Sequence, residues 1–353
     1  MSRNIKWFRD IGLSDVPQVG GKGANLGELT RAGIAVPPGF VVPVTTFEAF
    51  LEAVDPDGSS RAAVTGVDPD DVAALDELTA PIRERLRSAA LPGHIEADIV
   101  AAYTEICGDR GDVPVAVRSS ATSEDSEDAS FAGLQDTYLW VRGTAAVIDN
   151  VRRCWASLYN TESVAYRLRL NLPENEVAMA VVVQEMVRSR TAGVMFTRSP
   201  TTGDRSTIVI ESSWGFGSCL VSGEVTPDRF VISKVTGEIT ARTISTKLHQ
   251  HVPASEAGDV RVEDVPAEKQ SAPSLSDDEL KKLTRIARAV EKHYGRPQDI
   301  EWAIAEGATN GAALYLLQSR PETVWAAKDK ESIATPQKSA FDHVFAALGQ
   351  RKS

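Results

Sequence analysis

The stretch Val177–Val187 is apolar at every position except Gln184 and Glu185, and no other stretch limits the possible folds as much. A strand with one wet face alternates apolar and polar residues. A run without alternation reads as a strand covered on both faces. The chain around it supplies other regular elements. Val115–Val117, Thr137–Val141, Val194–Thr197, Thr207–Glu211 and Arg229–Ile232 read as strands, and Val147–Tyr166 as a helix. The clearest helix is Ser276–Tyr294. Ser276 and Glu279 have the spacing of a capping box, Leu280, Leu283, Ala287 and Val290 form one apolar stripe, and Gly295 with Pro297 ends it. Two strands follow, 299–305 and 313–320, across a turn-rich link. Residues 55–70, rich in Asp, Gly, Pro and Ser, read as an exposed connection. At 353 residues the chain is too long for one ordinary core, so two or three compact units are expected.

A net charge of −11 disfavours a nucleic-acid binder, because a phosphate backbone requires a basic surface. It leaves room for a local basic pocket. No apolar run is long enough for a membrane span, and the N-terminus lacks the apolar stretch of a secretory signal, so a cytoplasmic protein is expected. Cys107, Cys154 and Cys219 are scattered and odd in number, which reads as reduced, buried thiols.

Four segments could carry chemistry. In the last two strands, residues two apart share a face, so Asp299 pairs with Glu301, and Gln318 with Arg320. If these faces meet, two carboxylates, an amide oxygen and a guanidinium converge. That donor set suits Mg²⁺ and nucleotide phosphates, and it equally suits a surface ion-pair hairpin. Gly20-Gly21-Lys22-Gly23 reads as a glycine turn opening a helix through Leu26 and Leu29 to a stop at Gly33. Such a turn can bring backbone and a lysine to an anion, or can simply cap a helix. It is neither a Walker A loop, which would need glycine where Val16 stands, nor a dinucleotide fingerprint, which would need glycine where Leu26 stands. Arg118 ends a strand and leads into a loop of small hydroxyl residues reaching Gly133 and Thr137, suited to cover phosphates or to remain a solvated loop. Gln184-Glu185-Met186-Val187, where the buried strand turns polar and then apolar, can present backbone groups to an adenine edge or can be plain core.

Taken in order, the segments VGGKGANLGEL, VPPGF, AVRSSATSEDSEDASFAG, VVVQEMVRSRTAGVMFT, SSWGFG, GEVTPDRF, EKHYGRPQDIEWA and LLQSRPETVW resemble the ATP-binding domain of phosphoenolpyruvate synthases and pyruvate phosphate dikinases. The same module is similar to that of rifampin phosphotransferases and glucan water dikinases. The resemblance runs from Trp7 to Trp325. It implies a mixed α/β, ATP-grasp-like fold in which two lobes clasp ATP. It also implies an N-terminal lobe over 1–187, a C-terminal lobe over 188–325 and a polar tail or docking helix over 326–353. By position, Lys22 and Arg118 match the phosphate-contacting and catalytic cations. Gly133 and Thr137 match the phosphate-covering loop, and Gln184, Glu185, Met186 and Val187 match the adenine hinge. Asp299, Glu301 and Gln318 match the triphosphate- and metal-binding acids and amide, with Glu301 and Gln318 as the Mg²⁺ ligands and Arg320 as the catalytic arginine that follows.

Members of this family continue into a swivelling domain with a phospho-accepting histidine. None of His94, His249, His251, His293 and His343 lies in a segment resembling that one. His293 falls in the last turn of a capped helix, where the dipole favours it, and His249 and His251 read as solvated. The resemblance therefore implies an ATP-dependent phosphotransferase that passes a phosphoryl group to a histidine on a separate or further domain. A self-contained small-molecule kinase and a nucleotide-sensing module are the competing readings. ATP and a histidine-bearing phosphocarrier are the expected partners, with neither nucleic acid nor membrane.

Overall fold

The computed structural model describes residues 3–122, 125–126, 129–130, 136–174, 177–254, 259–307 and 313–326. The residues up to Pro321 form one compact unit and 322–353 a second, of which 322–326 are described. In that second stretch the Trp325 N–H donates to the Glu322 carboxylate at 2.7 Å.

Two antiparallel sheets organise the first unit. Sheet 1 runs in the order β1 (Lys6–Trp7), β2 (Gly39–Val42), β7 (Met179–Glu185), β3 (Val115–Ala121), β6 (Thr137–Val141). The apolar run seen in the sequence is its central strand, and Met179 to Val183 are all fully buried. Helices α2 (Val44–Val54), α4 (Val72–Ser88), α5 (Gly93–Cys107), α6 (Thr144–Ala156) and α7 (Thr161–Arg169) build its core, where Trp155 stacks on Phe50 with ring centroids 5.0 Å apart. The helix expected over 147–166 is therefore two helices, parted at Asn160. The connection expected over 55–70 holds a short helix, α3 (Ser59–Val64). The buried Asp55 takes the Ser60 N–H at 2.9 Å and the Ser59 hydroxyl at 2.8 Å there. A two-residue pair, β4 (Asp125–Ser126) with β5 (Ala129–Ser130), follows β3.

Sheet 2 runs β11 (Ile239–Thr243), β10 (Asp228–Ser233), β9 (Thr207–Trp214), β8 (Ser189–Phe196), β14 (Gln298–Ala305), β15 (Leu314–Pro321). Its core is closed by α10 (Asp277–Tyr294), which buries Leu280, Leu283, Ala287 and Val290 against Met195, Ile300, Trp302 and Ile304. Both halves of the Ser276–Glu279 capping box are formed, and Gly295 ends the helix at φ 67°. A separate hairpin, β12 (His249–Pro253) with β13 (Val260–Asp264), lies outside both large sheets. So do the short helices α8 (Ser218–Val221) and α9 (Ala267–Gln270). All three cysteines are unpaired and buried.

Helix α1 (Val16–Arg31) links the two cores: Ala24 and Leu26 enter the first, Leu29 the second. It is broken at Gly20, whose φ of 69° and ψ of 173° are open to glycine and to almost nothing else. The break is a packing device. The Ser120 hydroxyl accepts from Gly23 N–H at 3.1 Å and donates to the Val19 carbonyl at 2.8 Å, and a Cβ on Gly20 would stand 2.1 Å from the Ser120 carbonyl oxygen. Gly33, at φ 73°, ends the same helix with nothing within 4 Å of its would-be Cβ. Gly33→Ala is thus expected to cost only the left-handed backbone penalty, about 1–2 kcal/mol. Gly20→Ala adds a collision with main chain to its own strain of about 1–3 kcal/mol. Urea unfolding of both variants measures the difference; equal losses would mean that Ser120 can move aside.

Candidate functional site

A cleft of about 400 Å³ lies between the facing surfaces of the two sheets. On sheet 1, Ala116 and Arg118 share a face of β3. Register sets Gln184 of β7 beside Ala116 and Thr137 of β6 beside Arg118, so these four side chains form one wall. On sheet 2, Ala192 and Val194 of β8 stand opposite Ala303 and Glu301 of β14, giving a second wall that is small and apolar except for the glutamate. The 185–189 segment, which carries the chain from β7 to β8, forms the back with Glu185, Met186 and Val187. Phe216, Gly217 and Ser218 close the side.

The two walls are joined by Arg118. Its guanidinium, 12% exposed, donates to the Leu317 carbonyl at 3.1 Å, to Glu301 Oε2 at 3.3 Å and to Gln318 Oε1 at 2.5 Å. Register places Glu301 directly opposite Gln318 and Asp299 opposite Arg320. The faces whose meeting was left open by the sequence therefore do coincide. Arg320 Nε lies 3.8 Å from the Asp299 carboxylate near the end of the hairpin. Strict alternation would turn Leu317 away from this face. A bulge after Glu301 breaks the alternation, and Leu317 lines the cleft instead.

Two donors in the sheet 1 wall, Arg118 Nε and Gln184 Nε2, are buried with no hydrogen-bond partner among the described residues. Each such orphan costs about 1–3 kcal/mol, a cost that a polar ligand would relieve. In the back segment, Glu185 N–H is taken by the Pro38 carbonyl at 2.8 Å and Met186 N–H by the Pro114 carbonyl at 2.9 Å. The Glu185 side chain faces Arg110 at 2.7 Å.

Not every expected residue lines this cleft. Thr137, Arg118, Gln184 to Val187 and Glu301 do; Gln318 meets it through Arg118, while Asp299 and Arg320 lie further along the hairpin. Lys22 is half-buried in the first turn after Gly20. That turn is seated on Ser120, which shares the face of β3 that carries Arg118. Its charge is felt by Cys154, whose thiol burial pushes up and Asp136 raises further, with Lys22 opposing both. Gly133 lies outside the described residues, as do His343 and residues 123–124, 127–128 and 131–132 of the 118–133 loop.

Among residues the sequence did not single out, Leu139, Phe216, Ser218, Trp302 and Leu317 line the cleft. The SSWGFG run was the available signal for Phe216. Of the two histidines read as solvated, His249 is exposed on β12, with Asp264 at 2.9 Å, whereas His251, on the same strand and 13% exposed, lies between Ser218 and Glu224. His293 meets Glu28 of α1 at 2.7 Å. No helix among the described residues is long and apolar enough to cross a membrane.

The chain matches the family described as the pyruvate phosphate dikinase AMP/ATP-binding domain over residues 16–340. It is 39% identical to the phosphoenolpyruvate synthase of Pyrococcus furiosus, an alignment that covers 91% of this chain and 44% of that protein. It is 42% identical to the phosphoenolpyruvate synthase of Aeropyrum pernix over 95% of this chain and 44% of that one. A probable phosphoenolpyruvate synthase of Methanothermobacter thermautotrophicus is 42% identical over 94% of this chain and 48% of its own. The chain thus spans less than half the length of these relatives. In backbone it is also similar to D-alanyl-alanine synthetase A of Vibrio cholerae, at 10% identity and a TM-score of 0.27 over 86% of this chain and 58% of that one.

Proposed function

Because the chain belongs to the pyruvate phosphate dikinase AMP/ATP-binding domain family, we propose that it holds Mg-ATP in the cleft between its two sheets and donates a phosphoryl group to a histidine on a separate or further domain. The overall reaction would be that of the relatives named phosphoenolpyruvate synthase, with ATP ending as AMP and phosphate. The binding mode is ATP-grasp-like, with the lobes over 1–187 and 188–325 clasping the nucleotide. The supporting observation is Arg118, drawn across the cleft onto Glu301, Gln318 and the Leu317 carbonyl.

In this reading the adenine lies against Met186, Val187, Leu139 and Leu317, with the base edge on the backbone of 184–187. The Glu185 and Met186 N–H groups are already committed to Pro38 and Pro114, so Val187 N–H and the orphaned Gln184 amide are the donors left for it. The triphosphate runs toward Arg118, Thr137 and Lys22 on one side and Asp299 and Arg320 on the other, and Gly133 is assigned, from the resemblance, to the loop that covers the phosphates. Glu301 and Gln318 are the metal ligands. Their oxygens already converge on one Arg118 nitrogen, and a carboxylate with an amide oxygen is a hard donor pair that fits Mg²⁺. When bound, the cation would draw charge from the phosphate oxygens. Arg118, displaced from Glu301 and Gln318, would then turn to a phosphate oxygen, an exchange of one charge-assisted partner for another. The acceptor must come in line with the phosphorus, and no group lining the cleft, in this reading, is the phosphocarrier.

The expected outcome is that the chain binds Mg-ATP on its own but forms AMP at an appreciable rate only with a histidine-bearing acceptor protein. β-³²P-labelled ATP, with and without that acceptor, measures it. Rapid transfer by the chain alone to pyruvate or to one of its own histidines would replace this reading with a self-contained kinase. Tight binding without any transfer, with acceptor present, would leave a nucleotide-sensing module.

A further inference from the structure

Beside the cleft, three side chains from separate segments form a chain of hydrogen bonds. Ser218 Oγ of α8 stands 2.7 Å from His251 Nδ1, and His251 Nε2 stands 3.0 Å from Glu224 Oε2. The histidine is fixed by its backbone too: its carbonyl accepts from Phe216 N–H at 2.9 Å, and Gly215, at φ 73°, packs so closely that a Cβ would lie 2.4 Å from that oxygen. The β12–β13 hairpin is thereby clamped to the segment that closes the side of the cleft. Ser218 itself lines the cleft, together with Phe216 and Gly217.

The proton positions follow from the partners. The Ser222 hydroxyl, and after it the His251 ring, hold the Glu224 carboxyl below the ordinary carboxylate range. An ionised carboxylate only accepts, so His251 Nε2 must carry the proton. When that is the ring's only proton, Nδ1 is a bare acceptor and takes the single O–H of Ser218. In that tautomer Ser218 offers the cleft two lone pairs and no donor. An acceptor-only oxygen repels phosphate oxygens and ring nitrogens and attracts an O–H or N–H. On a ribonucleotide those donors are the exocyclic amino group and the two sugar hydroxyls. In the binding mode proposed above, on which this step rests, the base edge already meets the 184–187 backbone.

We infer that Ser218, held as an acceptor by His251 and Glu224, takes a sugar hydroxyl of the bound nucleotide and makes the cleft discriminate ribose from deoxyribose. Ser218 is the specificity-determining residue; His251 and Glu224 are positioning residues that act through it. One hydrogen bond of this kind corresponds to about 3- to 10-fold in affinity.

Calorimetric titration with Mg²⁺ and ATP, 2′-deoxy-ATP, 3′-deoxy-ATP or ITP tests it. In the unaltered chain, one of the two deoxy nucleotides is expected to bind about 3- to 10-fold more weakly than ATP. Ser218→Ala should weaken ATP by that same factor and leave that deoxy nucleotide unaffected, so the ratio falls to one. Ser218→Thr, which keeps the hydroxyl, should keep the ratio. His251→Ala should collapse it as Ser218→Ala does, a selective change that general loosening of the fold would not produce. An unchanged ratio in Ser218→Ala, no ribose preference in the unaltered chain, or a penalty on ITP that Ser218→Ala abolishes would each overturn the inference while leaving ATP binding intact. Failure of the unaltered chain to bind ATP at all would overturn the binding mode first, and this inference with it.

Discussion

Glu301→Ala is expected to weaken Mg-ATP binding by at least about 100-fold, equivalent to about 2.7 kcal/mol, and to erase its metal dependence. Gln318→Ala should show the same pattern at smaller amplitude. The ranking follows from charge. Glu301 brings a full negative charge to the point where its oxygen and that of Gln318 converge, whereas Gln318 brings a dipole. Removing the glutamate also changes what nucleotide meets without metal. In the native chain the carboxylate faces the cleft with Arg118 as its counter-ion, so a bare triphosphate encounters a carboxylate whose neutralising arginine it must take away. In Glu301→Ala that repulsion is gone, and ATP without Mg²⁺ should bind no worse than ATP with it. The fold itself should lose little. The Arg118–Glu301 pair is 12% and 34% exposed, a setting in which ion pairs contribute about 1 kcal/mol or less, and Arg118 keeps Leu317 and Gln318. Calorimetry with and without Mg²⁺ measures the binding, and urea unfolding without nucleotide measures the fold. Undiminished metal dependence in both variants would remove these two residues as ligands.

How much of this was legible beforehand depended on whether the cause was local. The approach of Asp299, Glu301, Gln318 and Arg320 could be read because strand side chains repeat every two residues and the hairpin needed only one register. The bulge that brings Leu317 into the cleft leaves no trace in that periodicity. Helix 277–294 announced itself through Ser276, Glu279 and Gly295, all within or beside it. Helix α3 did not, because Arg85, thirty positions along the chain, helps Asp55 hold its first turn. The glycine turn was found, but Gly20 meets Ser120, a neighbour supplied by a strand about a hundred residues later. Nothing in the sequence linked Ser218, Glu224 and His251 to one another. Their spacing matches no motif, and only the docking of the β12–β13 hairpin brings them together.

The largest loss of stability from a single substitution is expected at Asp228, at the start of β10 in the GEVTPDRF stretch and outside the cleft. Asp228 and Lys247 are both fully buried, and Lys247 Nζ donates to Asp228 Oδ1 at 2.6 Å and to the Ser245 carbonyl at 2.8 Å. The carboxylate also takes the Ser245 N–H at 3.0 Å and both the N–H and the hydroxyl of Ser274 at 2.7 Å. It therefore ties β10, the segment leading to β12 and the segment leading to α10 to one point, with the Ser274 hydroxyl passing the link on to Ser212 of β9 at 2.7 Å. Asp228→Ala strands a buried ammonium and leaves the other donors unmatched, for which about 3–5 kcal/mol is expected. Lys247→Met removes the cation while keeping its stem, and Asp228 retains three donors from Ser245 and Ser274, so its cost should be clearly smaller. Combining the two removes the stranded charge. The double variant should be less destabilised than the sum of the singles, by about 1–3 kcal/mol in a double-mutant cycle. Urea unfolding with comparison of slopes as well as midpoints gives all three values. If Lys247→Met cost as much as Asp228→Ala, the lysine rather than the carboxylate would be the centre of this junction. Simple additivity would mean that the two charges, though 2.6 Å apart, are each held by other partners.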